Sequence, residues 1–515
     1  MFSLPSQHAA LPARRPPGRR IAMSLVLLCA LALARAEDAP PVTTQPSEGG
    51  NLVVLEQITP TYVRAALEPL AFNWFSGVLA DLPVGEPVTL GFIPADPDTT
   101  ALSGDVSKWI GLVPLVSYSD QGRLDTYEWF VKDADGVWRS GAPWKIGAAR
   151  EAGDGPLPQQ TAVPVDLAPA FLAAAGRYWA PWQEVDQAAA LPHVNIFRFT
   201  HTFARPTATV AMRVPYPPRY LQALLADLAQ AAPPGVTVET LGATPQGRPV
   251  QLVRLTDPDD PTASTRTTLV LAREHGTEAA SSWLAQALLR HLLAPEGAAL
   301  RQGRTWLLIP LLDPDAAAAP AYEGLTDRFY KSNIPPTPPE VLAYTRYLTD
   351  YIADGGQIDL AVSLHNIEAA EGPHLFSPLG NTAAAAQSFA FTQAFFARAQ
   401  QAGFDTADPA VHWYYGTFPL RLGGWCALRL GALDLVYEVN DRYPARRLRL
   451  DQLDALGGLL AAELVAWQRT EEGQDWHAQV AAHLADHRRA RAAYWAAAEH
   501  APAARTAHES ITLGY

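Results

Sequence analysis

The chain has 515 residues, and 48% hydrophobic against 18% charged residues is a globular rather than a disordered composition. That length exceeds one ordinary core, so two domains with appendages are expected. The net charge is -13. The first 36 residues hold five arginines and no acid, which leaves -18 on the remainder and argues against nucleic acid as a partner.

The chain opens as an export signal. "RRPPGRR" (14–20) is a basic region and "IAMSLVLLCALALA" (21–34) is an apolar stretch too short for a comfortable membrane span. "ARA" (34–36) ahead of Glu37 is a small-residue cleavage pattern. Residues 1–36 are therefore expected to be removed on export to a periplasmic or extracellular location, with no membrane span in the mature chain. Cleavage leaves Cys426 as the one remaining thiol, so no internal disulfide is possible and the fold rests on packing. Residues 37–50, "EDAPPVTTQPSEGG", are acidic and Pro/Ser/Gly-rich and read as a disordered leader.

From 51 to 214 short apolar or alternating runs lie between turn signals, as in "FNWFSGVL" (72–79), "PVTLGFI" (87–93) and "FRFTHTFARPTATVAMRV" (197–214). "DADG" (133–136) is a hairpin turn signal. This pattern predicts an antiparallel β-sandwich. From 215 to 470 strand-like runs such as "TTLVLA", "TWLLIPLL", "IDLAVSLH" and "LDLVYEV" alternate with helical ones such as "ASSWLAQALLRHLL". That alternation predicts an α/β domain with a mostly parallel central sheet. Residues 471–515 are rich in Ala, Arg and His and read as a helical tail whose histidines face solvent.

Chemistry gathers where apolar strands end. In "LAREHGTEAASSW" the strand breaks at His275 and Glu278, three residues apart on the turn into a helix. His365 closes the run "IDLAVSLH", and Glu438 closes "LDLVYEV". In open α/β sheets ligands collect at the carboxyl ends of strands. A His₂Glu set with one open position is the usual catalytic arrangement for a single Zn²⁺, with ligating atoms expected roughly 3–4 Å apart. A carboxylate such as Glu438 at the end of a buried strand is costly unless it has a partner or a task, such as accepting a proton.

These residues resemble the M14 family of zinc metallocarboxypeptidases, most closely its cytosolic-carboxypeptidase-like branch. The likeness extends to "FTHTFARPTATVAMRVPYPPRYLQALLADL" and "TLGATPQGRPVQLVRL" (240–255). It implies His275, Glu278 and His365 as ligands of one Zn²⁺, Glu438 as general base, and a peptide or related amide as substrate. Two departures bear on substrate. The segment "LDPDAAAAPAYEG" (312–324) stands where the family places an oxyanion-stabilising Arg, and no Arg or Lys occurs between Pro314 and Asp327. The family's Asn-Arg carboxylate grip is here Asp327-Arg328, which leaves Arg328 as the substrate anchor. "HWYYGTFPLRLGGW" (412–425) is similar to the family's mobile Tyr segment and offers Tyr415 to the substrate, with Tyr414 beside it. Arg421 and Arg429 are candidates for the missing cation. Three other readings stay open: hydrolysis of an acylated amino acid or peptidoglycan stem peptide, a non-catalytic zinc-stabilised binding protein, and a metal-free pseudoenzyme. The sequence is silent on oligomeric state.

Overall fold

The computed structural model describes residues 41–67, 74–92, 112–118, 182–191, 196–319, 338–366, 374–380, 382–404, 431–439 and 448–498, with short pieces between 126 and 145 and at 410–411, 414–415, 426 and 430. Residues 1–40, which include the stretch read as an export signal, the whole 320–337 segment and the end of the tail lie outside them. No helix among the described residues is long and apolar enough to cross a membrane.

The N-terminal part is a sandwich of two five-stranded sheets. Its strands are β1 (Thr43–Gln45), β2 (Leu52–Thr59), β3 (Tyr62–Leu67), β4 (Ser76–Ala80), β5 (Pro87–Phe92), β6 (Leu115–Ser117), β7 (Trp182–Glu184), β8 (Gln187–Leu191), β9 (Ile196–Thr202) and β10 (Ala208–Ala211). One sheet runs β1-β4-β10-β6-β7 and the other β8-β9-β5-β3-β2. Between them Phe75, Phe92, Phe197 and Phe199 are wholly buried, with ring centroids 4.9 to 6.4 Å apart. Aromatic rings at such spacings dominate the energetics of a small core.

Two expectations need correction. The sandwich is not purely antiparallel, because β3 and β5 pair in parallel, Tyr62 opposite Thr89. The intervening β4 belongs to the other sheet, so the chain crosses over and returns in the same direction. The stretch from 41 to 50 is not a disordered leader either: β1 pairs with β4, and Val42 is buried with its N–H donated to Gln57 Oε1 at 2.8 Å. Backbone pairing and one buried valine outweigh the Pro/Ser composition. Beyond β6, Phe130–Lys132 and Trp138–Ser140 pair antiparallel around "DADG", as the turn signal predicts.

The second part is a nine-stranded mixed sheet. Its strands are β11 (Val236–Ala243), β12 (Pro249–Thr256), β13 (Thr267–Ala272), β14 (Thr305–Ile309), β15 (Ile358–Asn366), β16 (His374–Gly380), β17 (Ala410–Val411), β18 (Tyr414–Tyr415) and β19 (Leu433–Val439). The order is β11-β12-β14-β13-β15-β19-β16-β17, with β18 on β16. The central four, β14-β13-β15-β19, are parallel and fully apolar runs such as "TTLVLA" and "TWLLI" fill them, as double-sided burial requires. The helices are α1 (Pro218–Ala231), α2 (Ala279–Leu293), α3 (Pro314–Ala318), α4 (Pro339–Ala353), α5 (Thr382–Gln401), α6 (Leu450–Gln468) and α7 (Glu471–Ala498). From β13 the chain crosses through α2 to β14 on one side, then returns through α4 to β15 on the other. That reversal is a topological switch point, where the carboxyl ends of strands part and a crevice opens.

Helices α2 and α6 pack closely because Gly457 lies at their contact. A Cβ there would stand 2.7 Å from Ala287 Cβ and 2.8 Å from the Leu288 backbone nitrogen. Gly457→Val is therefore expected to destabilise the protein by about 1–3 kcal/mol through forced separation of the helices, read as a lowered urea midpoint with an unchanged slope.

Candidate metal centre

β13 is buried throughout and ends at Ala272. The next residue, Arg273, holds φ at 60°, a left-handed conformation that costs energy outside glycine. Its side chain, 1% exposed, donates from Nε to Gly276 O at 2.8 Å and from Nη1 to Tyr216 O at 3.3 Å. Its backbone N–H is held by Ser281 Oγ at 3.0 Å. Gly276 is required in the same turn, since a Cβ would come within 2.3 Å of the Ala316 carbonyl group. The strand thus turns sharply and sends His275 and Glu278 into the crevice.

Glu278 occupies the position before α2 but makes no side-chain cap. Asn366, at the end of β15, serves that helix by accepting the Ser281 N–H at 2.9 Å, and Ser281 Oγ donates to Glu278 O at 2.6 Å. The Glu278 carboxylate is left to face two imidazoles. His275 Nδ1 lies 2.7 Å from Oε1, and His365 Nδ1 lies 2.9 Å from Oε2. Ligating atoms of His275, Glu278 and His365 all fall within 4.8 Å of one another, a looser spacing than the roughly 3–4 Å of a closed tetrahedral set.

The electrostatics of this group suit a cation. Burial pulls both imidazolium ions down, but the Glu278 charge and neighbouring acids outweigh it and hold His275 above its ordinary value and His365 well above. Burial pushes Glu278 up, and the two imidazoles overcome it, holding the carboxyl far below the usual carboxylate range. The cavity therefore draws positive charge to itself. Glu278 Oε2 is buried with His365 Nδ1 as its one close polar neighbour. A buried carboxylate whose two oxygens face only two imidazoles is a donor set that a divalent metal would satisfy, so the residues present fit a Zn²⁺ ion.

Two further side chains were not found from the sequence. Glu274, 7% exposed, accepts from His365 Nε2 at 3.1 Å, and Ser363 Oγ lies 3.0 Å from the same nitrogen. A proton fixed on Nε2 leaves Nδ1 with its lone pair toward Glu278 and the cavity, the orientation a ligand needs. The signal was an acid immediately before His275 in a turn between buried elements.

The other sequence candidates divide. Glu438 stands on β19 directly beside His365 in the parallel register, so both side chains leave the same face of the sheet, and it is half-buried. Tyr415 is on β18, its backbone paired with Gly380 of β16. Arg328, Arg421 and Arg429 lie outside the described residues. Cys426 is wholly buried, and burial, followed by the charges of Asp434 and Glu274, pushes its thiol well above the ordinary value.

A His–Glu–His group thus stands at the carboxyl ends of adjacent parallel strands, behind a β-sandwich, in a fold shared with solved metallocarboxypeptidases. The metallo-carboxypeptidase of Burkholderia cenocepacia shares it with a TM-score of 0.60 at 18% identity, the alignment covering 83% of this chain and 98% of that one. The metallo-carboxypeptidase of Pseudomonas aeruginosa, solved with (2-guanidinoethylmercapto)succinic acid, shares it with a TM-score of 0.58 at 16% identity, covering 83% and 98%. No curated protein sequence matches the chain. Residues 221–338 match the family model for zinc carboxypeptidases, Peptidase_M14. The chain is thus similar to the zinc carboxypeptidases over residues 221–338, a stretch that includes His275 and Glu278, and it shares the fold of the solved metallocarboxypeptidases.

If Glu274 orients His365, Glu274→Ala weakens zinc affinity by about 10–100-fold, measured by competition with a coloured chelator. Retention of full affinity would remove Glu274 from the site.

Proposed function

We propose that His275, Glu278 and His365 hold one Zn²⁺ and that Glu438 is the general base in hydrolysis of a C-terminal peptide or related amide bond. The observation that carries this reading is the register of β15 and β19, which sets Glu438 beside His365 on one face of the sheet without adding it to the ligand group. When bound, Zn²⁺ supplies Lewis acidity that lowers the pKa of water and polarises a carbonyl. Glu438 accepts a proton from the attacking water as oxygen bonds to the carbonyl carbon, and it then delivers that proton to the leaving amine nitrogen. Arg328 anchors the substrate carboxylate by a bidentate contact, and Tyr415 closes over the substrate. Residues 1–36 act as an export signal, a reading that rests on the sequence.

The His–Glu–His group and the family match support zinc over the metal-free alternative. One sequence observation favours a second reading of substrate. The absence of Arg and Lys between Pro314 and Asp327, with Asp327 beside Arg328, thins the positive charge available to a terminal carboxylate. An acylated amino acid or peptidoglycan stem peptide suits such a pocket better than a classical short C-terminal peptide.

Glu438→Gln is expected to keep one equivalent of zinc by metal analysis while the hydrolytic rate falls by about 10²–10⁴-fold or more. Zinc loss equal to that of His275→Ala would instead make Glu438 a ligand. Arg328→Ala is expected to cut kcat/KM about 10²-fold on the true substrate. Steady-state kinetics on C-terminal peptides and acyl-amides, wild type against variant, checks this; rapid cleavage of classical peptides unaffected by the substitution would refute the anchor.

A further inference from the structure

The end of the parallel strands opposite the metal centre carries a second, unassigned cluster of charge. Arg266 and Arg304 immediately precede β13 and β14, whose first residues Thr267 and Thr305 are register partners, so the two arginines stand side by side at the sheet's amino edge. Arg469 follows the last residue of α6, and α7 brings His477. These four, with Asp260, Thr262 and Gln302, line a cleft of about 340 Å³. Asp359, which contacts His477, and His365 are six residue steps apart along β15, about 20 Å of extended chain. The cleft is thus distinct from the hydrolytic site. It also corrects the expectation that His477 decorates a solvated helix face.

The guanidinium groups here are held by neutral oxygens. Arg304 Nη1 donates to Gln468 Oε1. Arg266 Nη2 donates to Gln474 Oε1 at 3.0 Å, and Arg469 Nη2 to Ala299 O at 3.3 Å. Among the described residues none of the three forms an ion pair. The acids here are engaged: Asp260, in the cleft wall, accepts from the Thr262 N–H and Oγ at 2.8 and 2.7 Å, Asp257 accepts from the Gly303 N–H at 2.7 Å, and Asp359 accepts from Gln357 Nε2 at 2.8 Å and lies 3.0 Å from His477 Nδ1. Arg304 is only 3% exposed, and burial followed by the charges of Arg469 and Arg266 pulls its pKa down to about 10. A buried arginine beside two others, with amides in place of carboxylates, is unfavourable unless an anion joins them. It is also unusual in a chain of net charge -13. An aspartate bonded to His477 Nδ1 fixes the ring, leaving Nε2 as the edge available to a ligand.

We propose that this cleft binds a phosphate-bearing small polyanion. Convergent planar guanidinium forks match phosphate oxygens and suit a ligand with more than one charged oxygen pair. Isothermal titration of the full-length zinc-loaded protein with inorganic pyrophosphate tests it. One site with a dissociation constant below about 1 mM is expected, with a raised melting temperature. Arg266→Gln and Arg469→Gln, at partly exposed positions that tolerate substitution, should each weaken binding by about tenfold or more and leave peptide hydrolysis unchanged. Arg304→Gln should abolish binding, and its circular dichroism is compared with wild type because the side chain is buried. His275→Ala, which removes the metal, should leave pyrophosphate binding intact. No binding at millimolar pyrophosphate overturns the proposal. So does binding lost in His275→Ala but kept in Arg266→Gln and Arg469→Gln, which places the anion on the metal. Tricarballylate binding as tightly as pyrophosphate overturns the phosphate assignment.

Discussion

The parallel register of β13, β15 and β19 is the constraint on which the active site depends. Ala272 is opposite Leu364, and His365 is opposite Glu438. With strands about 4.8 Å apart, three consecutive neighbours deliver their last side chains to one crevice. A one-residue slip of β15 would turn His365 to the far face and bring Asn366 in its place. The hydrophobic runs of all three strands, buried on both faces, make that slip expensive. Packing of apolar residues thereby fixes the relative positions of polar ones that contribute little to stability themselves.

The turn after β13 works against local preference. Arg273 adopts a backbone conformation better suited to glycine, and its guanidinium is buried. Both costs are offset by hydrogen bonds to Gly276 and Tyr216 and by the Ser281 contact. Strain of this kind persists where surrounding contacts over-determine a conformation, and here they aim His275 and Glu278. The carboxylate of Glu274 on the far side of His365 completes the arrangement by deciding which ring nitrogen is free.

Much of this was legible in the chain. Double-sided burial writes itself as unbroken apolar runs, so β13, β14, β15 and β19 could be read directly, and His275, Glu278, His365 and Glu438 stood at their ends. Other features had no such signature. The parallel β3–β5 pair depends on which sheet β4 joins, a long-range choice that alternation does not encode. Strand β1 lies in a composition that favours disorder and is ordered by its partner β4. Glu274 acts through a residue about ninety positions away in sequence, and the His477–Asp359 contact joins the tail helix to β15 in the same manner. Periodicity and local turn chemistry do not report such pairings.

The seam between the two parts is continuous with the main core. Trp74 packs in one apolar cluster with Tyr216, Tyr220 and Trp283, and its indole N–H donates to Gly49 O at 2.9 Å. The Gly49 N–H in turn donates to Ala318 O at 2.9 Å, at the end of the short α3 whose Ala316 presses on Gly276. The first residues of the sandwich are therefore mechanically linked to the turn that bears His275. A sequence boundary near 215 is not an energetic one. A fragment beginning there would inherit a bare aromatic face at Tyr216, Tyr220 and Trp283 and an α3 without its Gly49 contact, so the sandwich covers apolar surface that the second part would otherwise expose to water.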